Sequence, residues 1–151
     1  MIIERLRNTD LLQVSQLIKK AFDDSVAPTL SEEGVVTFKG GLTPESIQSR
    51  LDQGNPFIVC RSDTSIVGVG EIRNSNHLNL LFVEPTMQKK GIGRKIFSAL
   101  LNTVQESEVT VNSSLNAVEA YKKFGFIENG LANEVRGIKY QPMVFKIGLK
   151  T

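Results

Sequence analysis

The stretch VEPTMQKKGIGRKIFSALL, residues 83–101, joins an apolar strand pattern to a helix pattern through a turn that contains two glycines. The apolar run Leu78–Val83 leads into it, and apolar residues recur at helical spacing from Ile92 onward. The first N–H groups of a helix have no intrahelical partner and lie at the positive end of the helix dipole. Because Gly91 and Gly93 have no side chain, an anion can come close to this backbone. The stretch therefore predicts an anion site at the start of a helix.

The cations in this turn favour a polyphosphate over a single phosphate. Lys89, Lys90 and Arg94 surround the two glycines and add positive charge. A Walker loop and a dinucleotide-binding turn both require a different glycine spacing, and Ile96 stands where the latter has its third glycine. From the turn alone, a tight strand-to-helix connection with solvated cations is the alternative interpretation.

The remaining patterns predict one sheet accompanied by helices. Short polar turns separate apolar runs at residues 57–60, 66–72 and 78–83, which is typical of antiparallel hairpins. Helices are predicted over residues 10–23, 43–54, 92–104 and 117–124, and further strands over 109–111, 126–127 and 143–147. Residues 23–41 are expected to form a long loop or a broken helix, and residues 129–140 a mobile lid or a crossover to an exchanged or paired last strand.

Length and composition exclude several classes of protein. The 151 residues have the size of one domain, so we expect a single domain over residues 1–151. No apolar run approaches the roughly 20 residues of a membrane span, and Glu4, Arg5 and Arg7 do not fit a signal peptide. We therefore expect a cytoplasmic protein with no membrane partner. The net charge of +2 does not support a nucleic-acid partner, and the single cysteine, Cys60, excludes an internal disulfide and a multi-cysteine metal site.

Two motifs together resemble a known family. The pattern Q-x-x-G-x-G at Gln88–Gly93 is similar to the acetyl-CoA pyrophosphate loop of the GNAT (Gcn5-related N-acetyltransferase) superfamily. The segment Ser114–Phe126 resembles that superfamily's helix with an alanine, a tyrosine four residues on and then Gly-Phe. The resemblance implies an α/β (α+β) fold with a mixed, mostly antiparallel twisted sheet of about six or seven strands flanked by four helices. That sheet is expected to open between the strands at 77–83 and 109–112.

The same resemblance implies acetyl-CoA as the co-substrate, bound in the opening of the sheet. The backbone of Leu81, Phe82 and Val83 would pair with the pantetheine arm, as an added strand does. The expected diphosphate contacts come from Gln88, Lys89, Lys90, Gly91, Ile92, Gly93 and Arg94. Ser114 stands where the family often has an asparagine that contacts pantetheine, and Tyr121 would lie beside the thioester.

The implied reaction is direct attack of an amine on the thioester in a ternary complex. Tyr121 matches the family tyrosine and is the candidate acid for the leaving thiolate, while its core-like spacing also fits a packed aromatic residue. His77, the one histidine in the sequence, is the first candidate for the base, and Glu71 on the neighbouring strand is the second. A chain of water molecules is the alternative to either residue.

The acceptor is expected to be a primary amine of a small molecule or a peptide. Acidic residues between Asp23 and Glu33 suggest that a cationic amine arrives opposite the anionic cofactor, although a solvated loop fits equally well. A homodimer through the last strand is a further possibility. The alternative function is a non-catalytic CoA-binding sensor or interaction module with the same fold.

Overall fold

The computed structural model describes residues 1–148, so residues 149–151 of the expected domain lie outside the described residues. The described chain forms one mixed sheet of eight strands and five α-helices. The strands are β1 (Ile2–Arg5), β2 (Phe57–Ser62), β3 (Ser65–Arg73), β4 (His77–Val83), β5 (Glu108–Ser113), β6 (Ile127–Glu128), β7 (Asn133–Val135) and β8 (Ile138–Lys146). The helices are α1 (Leu11–Ala21), α2 (Glu32–Lys39), α3 (Pro44–Asp52), α4 (Ile92–Leu101) and α5 (Val118–Phe124).

The strand order is β1-β2-β3-β4-β5-β8-β6, and β7 pairs with β8. Every pair is antiparallel except β4 and β5, which run parallel and are joined through α4. A parallel pair needs a crossover connection, and the helix supplies it. The predicted mixed, mostly antiparallel sheet is confirmed, with more strands and one more helix than the sequence indicated.

Two hydrophobic clusters hold the helices on the sheet. One contains Ile96 and Leu100 of α4 with strand residues such as Val109, and all three are fully buried. The other contains Val14 and Ile18 of α1, packed with residues of β2, β3 and β4. Both helices therefore follow the apolar periodicity that predicted them. None of the helices in residues 1–148 is long and apolar enough to cross a bilayer.

The segment between α1 and α3 is a broken helix, which was one of the two expectations for it. A π-helical turn (Phe22–Val26) and a 3-10 turn (Ala27–Thr29) follow α1 directly. Helix α2 then starts anew because the Ser31 hydroxyl accepts a hydrogen bond from the Gly34 N–H at 3.2 Å. The prediction of a single long loop is therefore wrong.

The segment at 129–140 forms a hairpin, and the last strand is paired within the chain, as one of the expectations for this segment had it. Strand β7 ends at Val135, β8 begins at Ile138, and these two residues are register partners. The two residues between them, Arg136 and Gly137, have φ of 50° and 79°. Positive φ at both central residues is typical of the two-residue hairpin turn whose twist matches the strands.

Candidate active site

A cleft opens where β4 and β5 part. The two strands pair only at His77 with Thr110 and Leu78 with Val111, and beyond these pairs they separate. The cleft between them has a volume of about 840 Å³ and is lined by both strands, the turn before α4, and α5. The splayed sheet that the family resemblance implied is confirmed. Unpaired strand backbone along such a cleft can accept an added strand-like ligand.

The glycine turn forms one end of this cleft. Gly91 is left-handed, with φ of 81°, and its C=O accepts the first hydrogen bond of α4 from the Lys95 N–H at 3.1 Å. The N–H groups of Ile92 and the next two residues precede that bond and have no intrahelical partner. A methyl group on Gly93 would lie 3.5 Å from Phe124 and 3.7 Å from Val83, which both line the cleft. The bare glycine therefore keeps the approach to these N–H groups open.

The cations of the turn differ in their placement. Lys89 and Arg94 line the cleft, whereas Lys90 is exposed outside it. The Arg94 guanidinium donates a 2.8 Å hydrogen bond to the Lys123 carbonyl and lies 5.1 Å from the centre of the Phe124 ring. These contacts fix the start of α4 to the end of α5 and place positive charge at this end of the cleft.

Eleven of the twelve residues predicted to bind the cofactor line the cleft, and Lys90 is the exception. They are Leu81, Phe82, Val83, Gln88, Lys89, Gly91, Ile92, Gly93, Arg94, Ser114 and Tyr121. The lining also contains polar residues that the sequence analysis did not select, namely Asn79, Asn112 and Asn116. Asn79 is the one polar residue inside the apolar run 78–83, and this break in the pattern is the sequence signal that marks it.

Tyr121 occupies α5 at the wall of the cleft. Its ring packs edge-on against Phe124 and Phe126, with ring centres 6.0 and 5.3 Å away, so its aromatic body belongs to the core. Burial raises the pKa of its phenol well above the ordinary value of 10.0. Within residues 1–148, no hydrogen bond to its hydroxyl is found. The hydroxyl is therefore a protonated donor that is available to a ligand in the cleft.

Glu71 does not line the cleft and has a full set of partners. Its side chain is completely buried, and Oε2 accepts from Arg50 Nε at 2.8 Å and from Asn55 Nδ2 at 2.9 Å. Oε1 accepts from Asn79 Nδ2, also at 2.9 Å. A buried carboxylate that is paired and hydrogen-bonded in this way is structural. We therefore do not propose Glu71 as the general base.

His77 lies at the closed end of the cleft, where β4 and β5 still pair. Its Nδ1 is 2.8 Å from Thr110 Oγ1, and the side chain does not line the cleft. Burial and, secondarily, the charge of Arg73 lower the pKa of the imidazole from its ordinary value of 6.5. The ring is consequently neutral at pH 7 and able to accept a proton.

The acidic residues expected on the acceptor side do not line the cleft. Asp23 forms an ion pair with Lys39 at 2.9 Å, and Glu32 and Glu33 are exposed in the first turn of α2, where they complement the helix dipole. The part of the cleft next to α1 and α2 is instead lined by Ala21, Ser25, Val26, Phe38 and Phe82. Within the described residues, no group of three or more potential metal ligands is found.

The comparisons with known proteins agree with this geometry. The sequence model described as "Acetyltransferase (GNAT) domain" matches residues 26–147, and the chain therefore belongs to the GNAT acetyltransferase family. Membership places the chain among enzymes that transfer acetyl groups. No curated protein matches the sequence at a significant level.

Solved structures with low sequence identity share the fold. A GCN5-related N-acetyltransferase from Rhodopseudomonas palustris is 18% identical, with a TM-score of 0.83 over 96% of this chain and 94% of that one. PaiA N-acetyltransferase from Thermoplasma acidophilum, solved with coenzyme A, is 19% identical, with a TM-score of 0.74 over 96% of this chain and 98% of that one. An aminoglycoside 6'-N-acetyltransferase, also solved with coenzyme A, is 13% identical, with a TM-score of 0.72 over 100% and 99%.

Proposed function

We propose that residues 1–151 act as a single N-acetyltransferase domain that moves the acetyl group of acetyl-CoA to a primary amine. The observation that carries this proposal is the cleft itself, because it combines a splayed strand pair, an open helix N-terminus with cations, and an unpartnered tyrosine hydroxyl. The coenzyme A found in two structures of this fold supports the same use of the cleft.

The binding of acetyl-CoA follows from the groups that line the cleft. The N–H groups at the start of α4 would hold the diphosphate, with Lys89 and Arg94 adding charge. The pantetheine arm would run along Leu81–Val83. An N–H of that strand segment, aimed at the thioester oxygen, would stabilise the oxyanion, and such a donor contributes roughly 3 kcal/mol in known enzymes.

The chemistry is an exchange of one bond for another. The amine nitrogen attacks the thioester carbon, the C–N bond forms, the C–S bond breaks, and the nitrogen releases a proton. Because a free thiol has a pKa of about 8.5 and burial raises the pKa of Tyr121, complete proton transfer from the phenol to the thiolate is uphill. Tyr121 therefore acts by donating a hydrogen bond to the departing sulfur, whose proton comes ultimately from the amine.

We further propose that His77 accepts the amine proton through a water molecule. Its lowered pKa has a definite consequence, since kcat should fall as the pH drops below 6.5, where the imidazole becomes protonated. His77→Gln should reduce kcat about 10-fold and remove this acidic limb. A pH series of kcat at saturating amine, run on both proteins, checks this; an acidic limb that persists in His77→Gln would assign it to another group.

The enzymatic assignment is tested by two measurements on the purified protein. Titration calorimetry should detect binding of CoA and of acetyl-CoA, and a thiol assay should detect CoA release that depends on an added primary amine. Binding without amine-stimulated release would indicate the non-catalytic CoA-binding module. Absence of CoA binding would remove the functional assignment and leave only the fold.

A further inference from the structure

We propose that the acceptor side of the cleft binds a small primary amine with an apolar or aromatic body, and that Asn79 accepts a hydrogen bond from its nitrogen. The proposal rests on the proposed acetyl transfer and specifies which amines are used. It is carried by three observations: an aromatic wall, the distribution of charge along the cleft, and the orientation of the Asn79 amide.

The aromatic wall is held by packing on its far side. Phe38 lines the cleft, and its ring stacks on the fully buried Phe22 with ring centres 4.7 Å apart. Phe38 also meets Phe82 edge-on at 6.4 Å, and Val26 lines the cleft beside them. Rings fixed in this way form a preformed apolar surface, and apolar ligand groups bind such surfaces by losing contact with water.

The charge along the cleft disfavours a polycationic acceptor. In the described part of the chain, the charged residues that line it are Lys89, Arg94 and Lys123, and all three are cations. Of the acidic residues nearest in sequence to this wall, Asp23 pairs with Lys39 at 2.9 Å and Glu84 with Lys20 at 2.8 Å, while Asp24 is exposed and does not line the cleft. A second ammonium on the acceptor would thus find no carboxylate in the wall and would pay for its desolvation.

The orientation of Asn79 follows from its neighbour. The Glu71 carboxylate acts as an acceptor in this part of the structure, since it accepts hydrogen bonds from Arg50 Nε and Asn55 Nδ2. The Asn79 amide must therefore turn its NH2 group to Glu71, at 2.9 Å, which fixes its oxygen as a free acceptor. Among residues 1–148, no donor to that oxygen is found.

The backbone places this amide at the wall of the cleft. Strand pairing shifts register between Glu71 and Ile72, so that Leu80 and Leu78 face them and Asn79 is left without a partner on β3. Such a bulge redirects a side chain and occurs often next to active sites. Asn79 lines the cleft on the same strand as Leu81–Val83, along which the thioester would lie. An acceptor nitrogen bound to Asn79 would thus approach the acetyl group.

The substrate class is tested with a panel of amines in the thiol-release assay. Phenethylamine should have a kcat/KM at least about 10-fold above that of spermidine, because it carries a ring and a single charge. Phe38→Leu, which keeps an apolar side chain, should lower kcat/KM for phenethylamine about fivefold and leave the KM of acetyl-CoA unchanged. A preference for spermidine over phenethylamine would overturn the apolar subsite while leaving acetyl transfer intact.

The role of Asn79 is tested against a matched control. Asn79 and Asn55 each donate from Nδ2 to Glu71 at 2.9 Å, but only Asn79 lines the cleft. Asn79→Ala should raise the KM of the amine about 10-fold with little change in the KM of acetyl-CoA, whereas Asn55→Ala should leave both unchanged.

Each outcome of this comparison decides the proposal. Equal effects of the two alanine variants on the amine KM would mean that Asn79 acts only through the stability of Glu71, and would overturn its binding role. An unchanged amine KM in Asn79→Ala would also overturn the binding role of Asn79. If no amine stimulated CoA release from the unmodified protein, both this inference and the enzymatic assignment would be overturned. Calorimetric binding of CoA distinguishes that result from a failure of the amine subsite alone.

Discussion

Replacing Tyr121 by phenylalanine should lower kcat by about 100-fold or more, the usual effect of removing a group that donates to charge developing in the transition state. The affinity for CoA should stay within about threefold, because the hydroxyl makes its proposed contact only as the sulfur becomes anionic. The experiment compares kcat from the thiol-release assay with the dissociation constant from calorimetry. An unchanged kcat would remove Tyr121 from the mechanism and leave it as a packed core residue.

The same variant separates catalysis from folding. The hydroxyl has no hydrogen-bond partner within residues 1–148, while the ring packs against Phe124 and Phe126. Phenylalanine keeps the ring, so the melting temperature of Tyr121→Phe should equal or slightly exceed that of the unmodified protein. Tyr140→Phe is the matched control, since Tyr140 lies in β8 away from the cleft lining and its replacement should not change kcat.

The raised pKa of Tyr121 adds a constraint on the pH profile. Because burial disfavours the charged phenolate, the pKa of the Tyr121 phenol lies above its ordinary value of 10.0. The hydroxyl therefore stays protonated throughout the range in which the protein is assayed, and Tyr121 causes no loss of kcat on the alkaline side below pH 10. The phenol therefore causes no change in folding stability with pH below pH 10, and stability falls as the pH rises from 10 towards the folded-state pKa.

The sequence predicted the parts of the site that depend on local patterns. The glycine turn, the apolar run of β4 and the spacing of α5 each lie within about a dozen residues, and the structure brings them to one cleft. The hairpin of β7 and β8 is also local, but the two glycines and low apolar content of residues 129–140 are typical of a loop and do not predict it. Its two-residue turn, Arg136-Gly137, was the available clue.

The environment of Glu71 could not be predicted in this way. Its partners Arg50 and Asn55 precede it by 21 and 16 residues, in and just after α3, and no spacing rule connects a helix end to a particular strand residue. A glutamate in a strand beside a proposed active site therefore suggested a base, whereas the fold makes it a buried, paired group. The aromatic wall could not be predicted for the same reason, because Phe38 and Phe82 come into contact only through the packing of α2 on the sheet.

Gly93→Ala should weaken CoA binding at least about 10-fold without lowering stability, because the added methyl blocks close approach of the diphosphate to the backbone. The methyl would make ordinary contacts with Phe124 and Val83, at 3.5 and 3.7 Å, so the protein itself accommodates it. Alanine also favours the helix by up to about 1 kcal/mol relative to glycine, which predicts an unchanged or higher melting temperature. Calorimetry with CoA and a thermal melt on the same sample measure the two effects.

Gly91→Ala provides the opposite case. A methyl there would meet nothing within 4 Å, but the left-handed φ of 81° makes any side chain strained. This variant should lose about 1 kcal/mol of stability while retaining more of its CoA affinity than Gly93→Ala. If Gly93→Ala bound CoA as tightly as the unmodified protein, the diphosphate would not contact this backbone, and the cations alone would have to account for cofactor binding. The contrast arises because one glycine is needed for the shape of the turn and the other for the space in front of it.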